Sequence, residues 1–323
     1  MTTGTTRAER PAAAPAVAPP AGTGRRGRGR RSDTTAGYLF LSPWLVGVML
    51  LTAGPMVASL YLSFTDYNLF QAPEWVGLDN YVAMFSDERY LQSVGVTLVY
   101  VLLSTPLKLA AALGVALLLN STRRGQSLYR AAFYAPSLIG ASVSIAIVWR
   151  AMFSEDAVVD RVLSAVGIET GGWIANPDFA TLVLVSLAVW QFGAPMVIFL
   201  AGLKQIPKEL TEAAVMDGAG VWRRFRSITL PMLSPVIFFN LILEMIAAFQ
   251  VFTSAYVVSS GSGVGGPAGS TSFYTIYLFQ RAFKDFDMGY ASAMAWVLVL
   301  AVGLITLLLF RTSRSWVHYG GDR

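Results

Sequence analysis

The chain of 323 residues is 54% hydrophobic and only 13% charged, with a mean hydropathy of +0.55 and a formal net charge of +5. Soluble domains carry about 25% charged residues, so a single soluble globular domain is excluded, as is disorder over most of the chain. There is no cysteine, which rules out disulfides and thiolate metal sites.

The first 33 residues are rich in Ala, Pro, Gly and Thr and end in a cluster of Arg25, Arg26, Arg28, Arg30 and Arg31. A segment of that composition buries no core, so 1–35 is expected to be a disordered tail whose arginines meet anionic lipid headgroups. RNA binding is disfavoured because no aromatic residues interleave the arginines. The first apolar run starts too late and is too long for a cleaved signal peptide.

Charge-free runs then cover 34–65, 90–107, 109–122, 179–203, 245–280 and 288–310. A membrane-crossing helix needs about 20 largely apolar residues, and six spans are predicted at roughly 39–62, 93–119, 131–153, 180–203, 232–258 and 290–310. All should be helical, because hydrocarbon offers no water to an open backbone. The fold class is therefore an all-α polytopic membrane protein, with a six-helix domain at 36–312 and a short tail at 313–323. Pro43, Pro55, Pro106, Pro136, Pro195 and Pro235 lie inside spans, which implies a packed bundle that re-satisfies the freed carbonyls. Ala110, Ala111, Ala112 and Gly114 are expected to admit a close neighbour. Segments 1–38, 120–130, 204–231 and 311–323 hold eighteen of the 24 Lys and Arg residues, while the intervening loops hold twelve of the nineteen acids. Positive residues stay cytoplasmic, so both termini are expected inside the cell membrane.

One of the basic segments, Lys204 to Pro231, is unlike the rest. Pro207 suits a first helical position, with Glu209 and Glu212 following in the opening turns. That helix is expected to run to about Asp217 and stop at Gly218-Ala219-Gly220. A second short helix should carry Val221, Trp222, Phe225 and Ile228 on one face and Arg223, Arg224 and Arg226 on the other, ending at Pro231. Such a pair suits docking into a cleft of another protein, and it suits equally an amphipathic loop lying on lipid headgroups.

Glu212-Ala213-Ala214, three residues, Gly218, nine residues, then Ile228-Thr229-Leu230-Pro231 resembles the EAA signature of ATP-binding-cassette importer permeases. Further segments resemble the carbohydrate-uptake members: Phe40-Leu41-Ser42-Pro43-Trp44, Ser63-Phe64-Thr65-Asp66-Tyr67 and Val76-Gly77-Leu78-Asp79-Asn80-Tyr81. So do 129–136, 249–252, Gly265-Gly266-Pro267 and Met288-Gly289-Tyr290-Ala291-Ser292-Ala293. The resemblance implies a type I importer permease fold in which Glu212, Ala213, Ala214, Asp217 and Gly218 touch the ATPase. Gly218 would make the turn, Ile228 and Leu230 complete the signature, and Pro231 sets the return into the membrane. It further implies alternating access in a complex with a second homologous permease, two ATPase subunits and an extracellular solute-binding protein. Some maltose-type members have extra N-terminal spans and a large external domain; these have no counterpart in the sequence.

The chain itself is expected to bind no cofactor, ATP and Mg belonging to the partner ATPase. The glycine-rich stretch 261–267 lacks the Lys-Ser/Thr ending of a phosphate loop, and with one histidine, His318, no metal centre is expected. Polar residues inside spans are costly and mark function. Glu244 sits in the fifth span near Asn240 and Gln250, and Lys108 lies in the second beside Pro106. Asn240, Glu244, Gln250 and Gln191, with Phe249 or Tyr256 for stacking, form the candidate pathway for a sugar. Glu244 has two further readings, a structural pair with Lys108 and a gating role. Trp190 is a further cavity candidate, and Trp149 and Arg150 are expected at the outer interface. An ion-coupled transporter would show several intramembrane acids and an internal repeat, and an intramembrane enzyme a nucleophile or metal pair; none appears. Glycerol phosphate or a polyol remains an alternative solute.

Overall fold

The computed structural model describes residues 29–120, 125–140, 142–165, 167, 172–259 and 265–318. Most of the expected tail and most of the glycine-rich stretch at 261–267 lie outside them. The chain divides into two compact units, 1–56 and 57–323.

The first unit holds α1 (Gly29–Val48), a π-turn at Met49–Ala53 and the start of α2 (Gly54–Leu62), which continues into the second. The helix starts at Gly29, ahead of the expected boundary at 36, because no proline or glycine interrupts 30–36. The π-turn sits directly before Pro55, with the Gly54 N–H bonded to the Met49 carbonyl. A proline ring clashes with the carbonyl four residues back, and widening the turn relieves that clash.

After the end of α2, the second unit forms a two-residue antiparallel ribbon, β1 (Thr65–Asp66) against β2 (Glu74–Trp75), the one departure among the described residues from an all-α fold. It continues through α3 (Asp79–Met84) to α4 (Glu88–Leu119), which begins before the expected position 93 because the Asp87 carboxylate caps it. The predicted third span is a broken pair, α5 (Gln126–Ile139) and α6 (Val143–Phe153), followed by α7 (Val158–Ser164). The fourth is likewise broken, into α8 (Pro177–Trp190) and α9 (Gly193–Leu203), which meet at 43°. After α10 (Lys208–Met216) and α11 (Val221–Arg224), a second π-turn at Phe225–Thr229 runs into α12 (Leu230–Phe249). Then come α13 (Thr253–Ser259), α14 (Tyr274–Phe283) and α15 (Met288–Trp316). Among the described residues four helices are long and apolar enough to cross a membrane, or up to six if each bent pair is one span.

A proline explains the break in the fourth span. Ser137 donates its hydroxyl to the Gln191 carbonyl at 2.9 Å, the group that Pro195 cannot bond, and accepts the Ala194 N–H at 3.0 Å. Two Ser-Pro pairs act within one helix: Ser42 bonds the Leu39 carbonyl behind Pro43, and Ser234 the Pro231 carbonyl behind Pro235, at 2.7 and 2.6 Å. The fifth span stops at Phe249 rather than 258, because the Thr275 hydroxyl takes the Val251 carbonyl and the chain turns there.

Of the small residues expected to admit a close neighbour, only Ala112 is buried. Ala116 lies below it, also buried, but Ala110 and Gly114 are exposed and a Cβ on Gly114 would meet nothing within 4 Å. Two glycines of α9 do the work. A Cβ on Gly193 would lie 2.6 Å from the Phe133 carbonyl oxygen in α5, and one on Gly202 2.8 Å from Val236 in α12. Leu109, Ala112, Met196, Phe199, Leu200 and Leu233 fill the core between α4, α9 and α12. A second core joins Tyr100, Leu184, Met245, Phe249 and Phe273.

Gly193→Ala should therefore lower the thermal midpoint of the detergent-solubilised protein by several degrees. Gly114→Ala should leave it unchanged or raise it, through a helix-propensity gain of about 0.5–1 kcal/mol. A Gly193→Ala midpoint equal to that of the unmodified chain would contradict the packing described.

Candidate functional site

A cavity of about 140 Å³ lies between α4, α8, α12 and the start of α13. Across it the Lys108 Nζ meets the Glu244 Oε2 at 2.7 Å, both side chains largely buried. Tyr100, Ser104 and Thr105 line it from α4, Gln191 closes α8, and Ser254 enters from α13. Thr105 precedes Pro106 yet does not follow the Ser-Pro pattern, since its buried hydroxyl has no hydrogen-bond partner. At roughly 30 Å³ per water, the space holds about five waters.

The structure thus brings together Glu244, Gln191 and Lys108, and pairs Glu244 with Lys108. It does not bring in the other pathway candidates. Asn240 is buried, its side-chain nitrogen unpartnered, and does not line the cavity. Phe249 packs in the apolar core, and Gln250 caps α12 at an exposed position. Tyr256 belongs to α13, stacked on Phe252 at 5.5 Å. Trp190 stacks on Trp149 at 5.2 Å, and Trp149 donates to the Ser186 hydroxyl. Sequence reasoning missed Tyr100, Ser104, Thr105 and Ser254. Thr105 and Ser104 sit one turn from Lys108, the one signal available.

At one end of the bundle, α10 begins at Lys208 with Pro207 as its cap rather than its first residue. It ends as expected. The Gly218 N–H bonds the Val215 carbonyl, the Ala219 N–H bonds that of Ala214, and Gly218 takes φ +74°. That crossed pair of bonds requires a left-handed residue, which glycine adopts without strain. Glu212, Ala213, Asp217 and Gly218 are exposed, Ala214 and Ile228 half-buried. Met216 is 86% exposed at the tip of a projection, and Trp222, in ring contact with Phe225, is 72% exposed beside it. Pro231 does not end the second helix. Val221–Phe249 is one helix of 29 residues, because the π-turn, with the Leu230 N–H bonded to the Phe225 carbonyl, admits the proline in the first turn of α12.

At the opposite end of α4, segments distant in sequence tie into one knot. Asn80 donates to the Ser63 and Thr65 carbonyls, and the Met288 and Gly289 N–H groups both bond the Tyr67 carbonyl. A Cβ on Gly289 would lie 2.1 Å from the Thr65 oxygen, so only glycine fits. Beside this knot, the Asp87 Oδ2 accepts from Tyr277 at 2.5 Å and Tyr290 at 2.9 Å, with Arg281 at 3.5 Å, while its Oδ1 caps α4. Arg281 stacks over the Tyr290 ring at 4.5 Å. Burial works against the Asp87 carboxylate, but the bonds from Tyr277, Tyr290 and the Tyr90 N–H, with the Arg281 charge, outweigh it and hold its pKa below the usual value. Burial drives the neighbouring Asp287 carboxyl the other way, upward. Burial and the bond to Asp87 both push the Tyr277 phenol up.

Apolar helices broken around a small polar cavity, with an exposed helix–turn–helix at one end, are the build of a membrane transport subunit. Residues 80–315 match the model of the binding-protein-dependent transport system inner membrane components, and the chain belongs to that family of ABC importer permeases. It is 53% identical over 297 residues to the probable ABC transporter permease protein YesP of Bacillus subtilis, covering 91% of this chain and 96% of YesP. It is 31% identical over 285 residues to the lactose transport system permease protein LacF of Rhizobium radiobacter, covering 86% of this chain and 94% of LacF. Its fold matches the crystal structure of a bacterial ABC transporter involved in the import of the acidic polysaccharide alginate. The TM-score is 0.76 at 21% identity, over 88% of this chain and 97% of the other.

Replacing Lys108 with Met should cost about 3 kcal/mol by stranding the Glu244 carboxylate, whereas Lys108→Met with Glu244→Leu should recover most of that loss. Thermal unfolding of the three proteins in detergent measures the difference, and additive losses would show that the pair is not coupled. The Asp87 cluster has a defined pH sign. A depressed carboxylate stabilises the fold fully above its unfolded pKa, about 3.9, and that contribution disappears as pH falls through the lower folded value. Asp87→Asn should lower the midpoint at neutral pH and remove that part of the acid loss, read from midpoints across pH 7 to 3.

Proposed function

We propose that this chain is one of two permease subunits of an importer that moves a sugar, mono- or oligosaccharide, across the cell membrane by alternating access. Loop 204–231 and both termini face the cytoplasm, as the distribution of basic residues favours. An extracellular solute-binding protein delivers the sugar, two separate ATPase subunits bind ATP and Mg, and this chain hydrolyses nothing. Support for the sugar comes from the lactose permease relative and from the hydroxyl and amide groups around the cavity. Support for the delivering protein comes from the alginate transporter, whose structure is known in complex with an alginate pentasaccharide-bound periplasmic protein.

The observation that carries the reading is the exposed α10–Gly218–α11 projection and its covalent continuity with the cavity. Glu212, Ala213, Ala214, Asp217 and Gly218 present a rigid tip for the ATPase, and Ile228, Leu230 and Pro231 hold its root. From Val221 the helix runs unbroken to Glu244, about 35 Å at 1.5 Å per residue. Movement of the tip is transmitted along that helix to the Lys108–Glu244 pair, which bridges α12 to α4. Opening and closing of the cavity then follows the nucleotide state of the ATPase.

Gly218→Asp should abolish binding-protein-stimulated ATP hydrolysis and uptake in the assembled complex while membrane insertion stays intact. Normal stimulated hydrolysis in that variant would sink the coupling assignment.

A further inference from the structure

Two cavities lie behind the projection and share Leu117, Thr211 and Thr229, so they form one trough. The first, about 530 Å³, is lined by Lys204, Lys208, Asn120 and Glu212 over a floor of Leu203 and Ile206. The second, about 710 Å³, is lined by Val221, Trp222 and Phe225, with Arg224 among them. Arg224 therefore sits on the apolar side of α11 rather than opposite it, and its buried Nε has no hydrogen-bond partner. Lys204 and Lys208 make no ion pair with a described residue. Three cations thus face one acid, Glu212, across a trough that is polar at one end and apolar at the other.

Its depth is set by the helices around it. Leu117 lies two residues from the end of α4, Leu203 is the last residue of α9, and Thr229 precedes α12. Under the orientation proposed above, on which this inference rests, that level is the inner headgroup region, where an exposed tryptophan such as Trp222 also belongs. A soluble anion would satisfy the cations and leave the apolar half wet. An amphiphile with an anionic head fills both. Of the residues assigned above to the ATPase contact, Ala213, Ala214, Asp217 and Gly218 line neither cavity and Glu212 lines only the first, so an ATPase seated there leaves the apolar half free.

We propose that this trough binds one anionic phospholipid of the inner leaflet, its phosphate held by Lys204, Lys208 and Arg224 and an acyl chain laid against Val221, Trp222 and Phe225. The bound lipid braces the projection against the ends of α4 and α9, so coupling depends on the anionic lipid content of the membrane.

The test uses the full complex, this chain with its permease partner and ATPases, in nanodiscs of phosphatidylcholine alone or in equal mixture with phosphatidylglycerol. Native mass spectrometry reads lipid retained after detergent exchange, and stimulated ATP hydrolysis is measured in parallel. The unmodified complex should retain phosphatidylglycerol selectively and hydrolyse ATP faster in the mixture. At about fivefold per basic residue near an anionic surface, the combined variant Lys204→Gln, Lys208→Gln, Arg224→Gln should bind that lipid roughly 100-fold more weakly. Its rate should be the same in both membranes. Equal retention of the two lipids by the unmodified complex would overturn the proposal. So would displacement of the lipid effect by inorganic phosphate, which marks a soluble-anion site, and retention seen only after the ATPase is stripped away, which marks the ATPase's own seat. Lipid retention is read without transport, so absence of stimulated hydrolysis in every membrane would count against the importer reading alone.

Discussion

In a hydrocarbon environment no water completes a broken hydrogen-bond ladder, and every proline in a span therefore needs a local remedy. Three remedies recur in this chain. Ser42 and Ser234 bond the carbonyl that the following proline leaves free, Ser137 does the same for Pro195 from a neighbouring helix, and π-turns precede Pro55 and Pro231. Two of them bear on the candidate site. The π-turn before Pro231 keeps the projection and α12 in one helix, and the break before Pro195 puts Gln191 at the cavity wall.

Thr105 is the exception, and it is found at the polar cavity. It precedes Pro106 as Ser234 precedes Pro235, yet its hydroxyl is unpartnered, as is the Asn240 amide nitrogen on α12. A buried polar group without a partner costs about 1–3 kcal/mol. The interface between α4 and α12 thus combines a completed ion pair with unfinished hydrogen bonds. A well-packed apolar interface would be more stable, whereas a partly unsatisfied one suits the alternating access proposed above.

The two ends of the bundle are built on opposite principles. At the Asp87 end, one carboxylate gathers two phenols and the Arg281 guanidinium, whose Nε has no hydrogen-bond partner, and Gly289 lets two segments touch. At the projection, apolar and cationic side chains remain unmatched. A cross-linked end holds its own shape, and an end with exposed apolar side chains leaves surface for whatever docks there. The same contrast separates segments that resemble the carbohydrate-uptake permeases for structural reasons, such as Ser63–Tyr67 with Met288–Tyr290, from the EAA segment, whose exposed residues bond only within their own turn.

Much of this was legible in residue order alone. Apolar runs, basic loops and the α10–Gly218 turn depend on composition and on hydrogen bonds spanning a few residues, so the spans and the projection could be placed without coordinates. The left-handed Gly218 follows from the same local pattern. The cavity could not be assembled that way. Lys108 and Glu244 were visible as costly charges, but which alternative held for Glu244 depended on helix rotation and on breaks imposed by Ser137, 54 residues from the carbonyl it serves. Tyr277 reaches Asp87 across 190 residues, and Phe249, Gln250 and Tyr256 do not line the cavity, the chain turning where Thr275 captures Val251. Local propensity has no access to contacts of that separation, whose geometry exists only once the helices have packed.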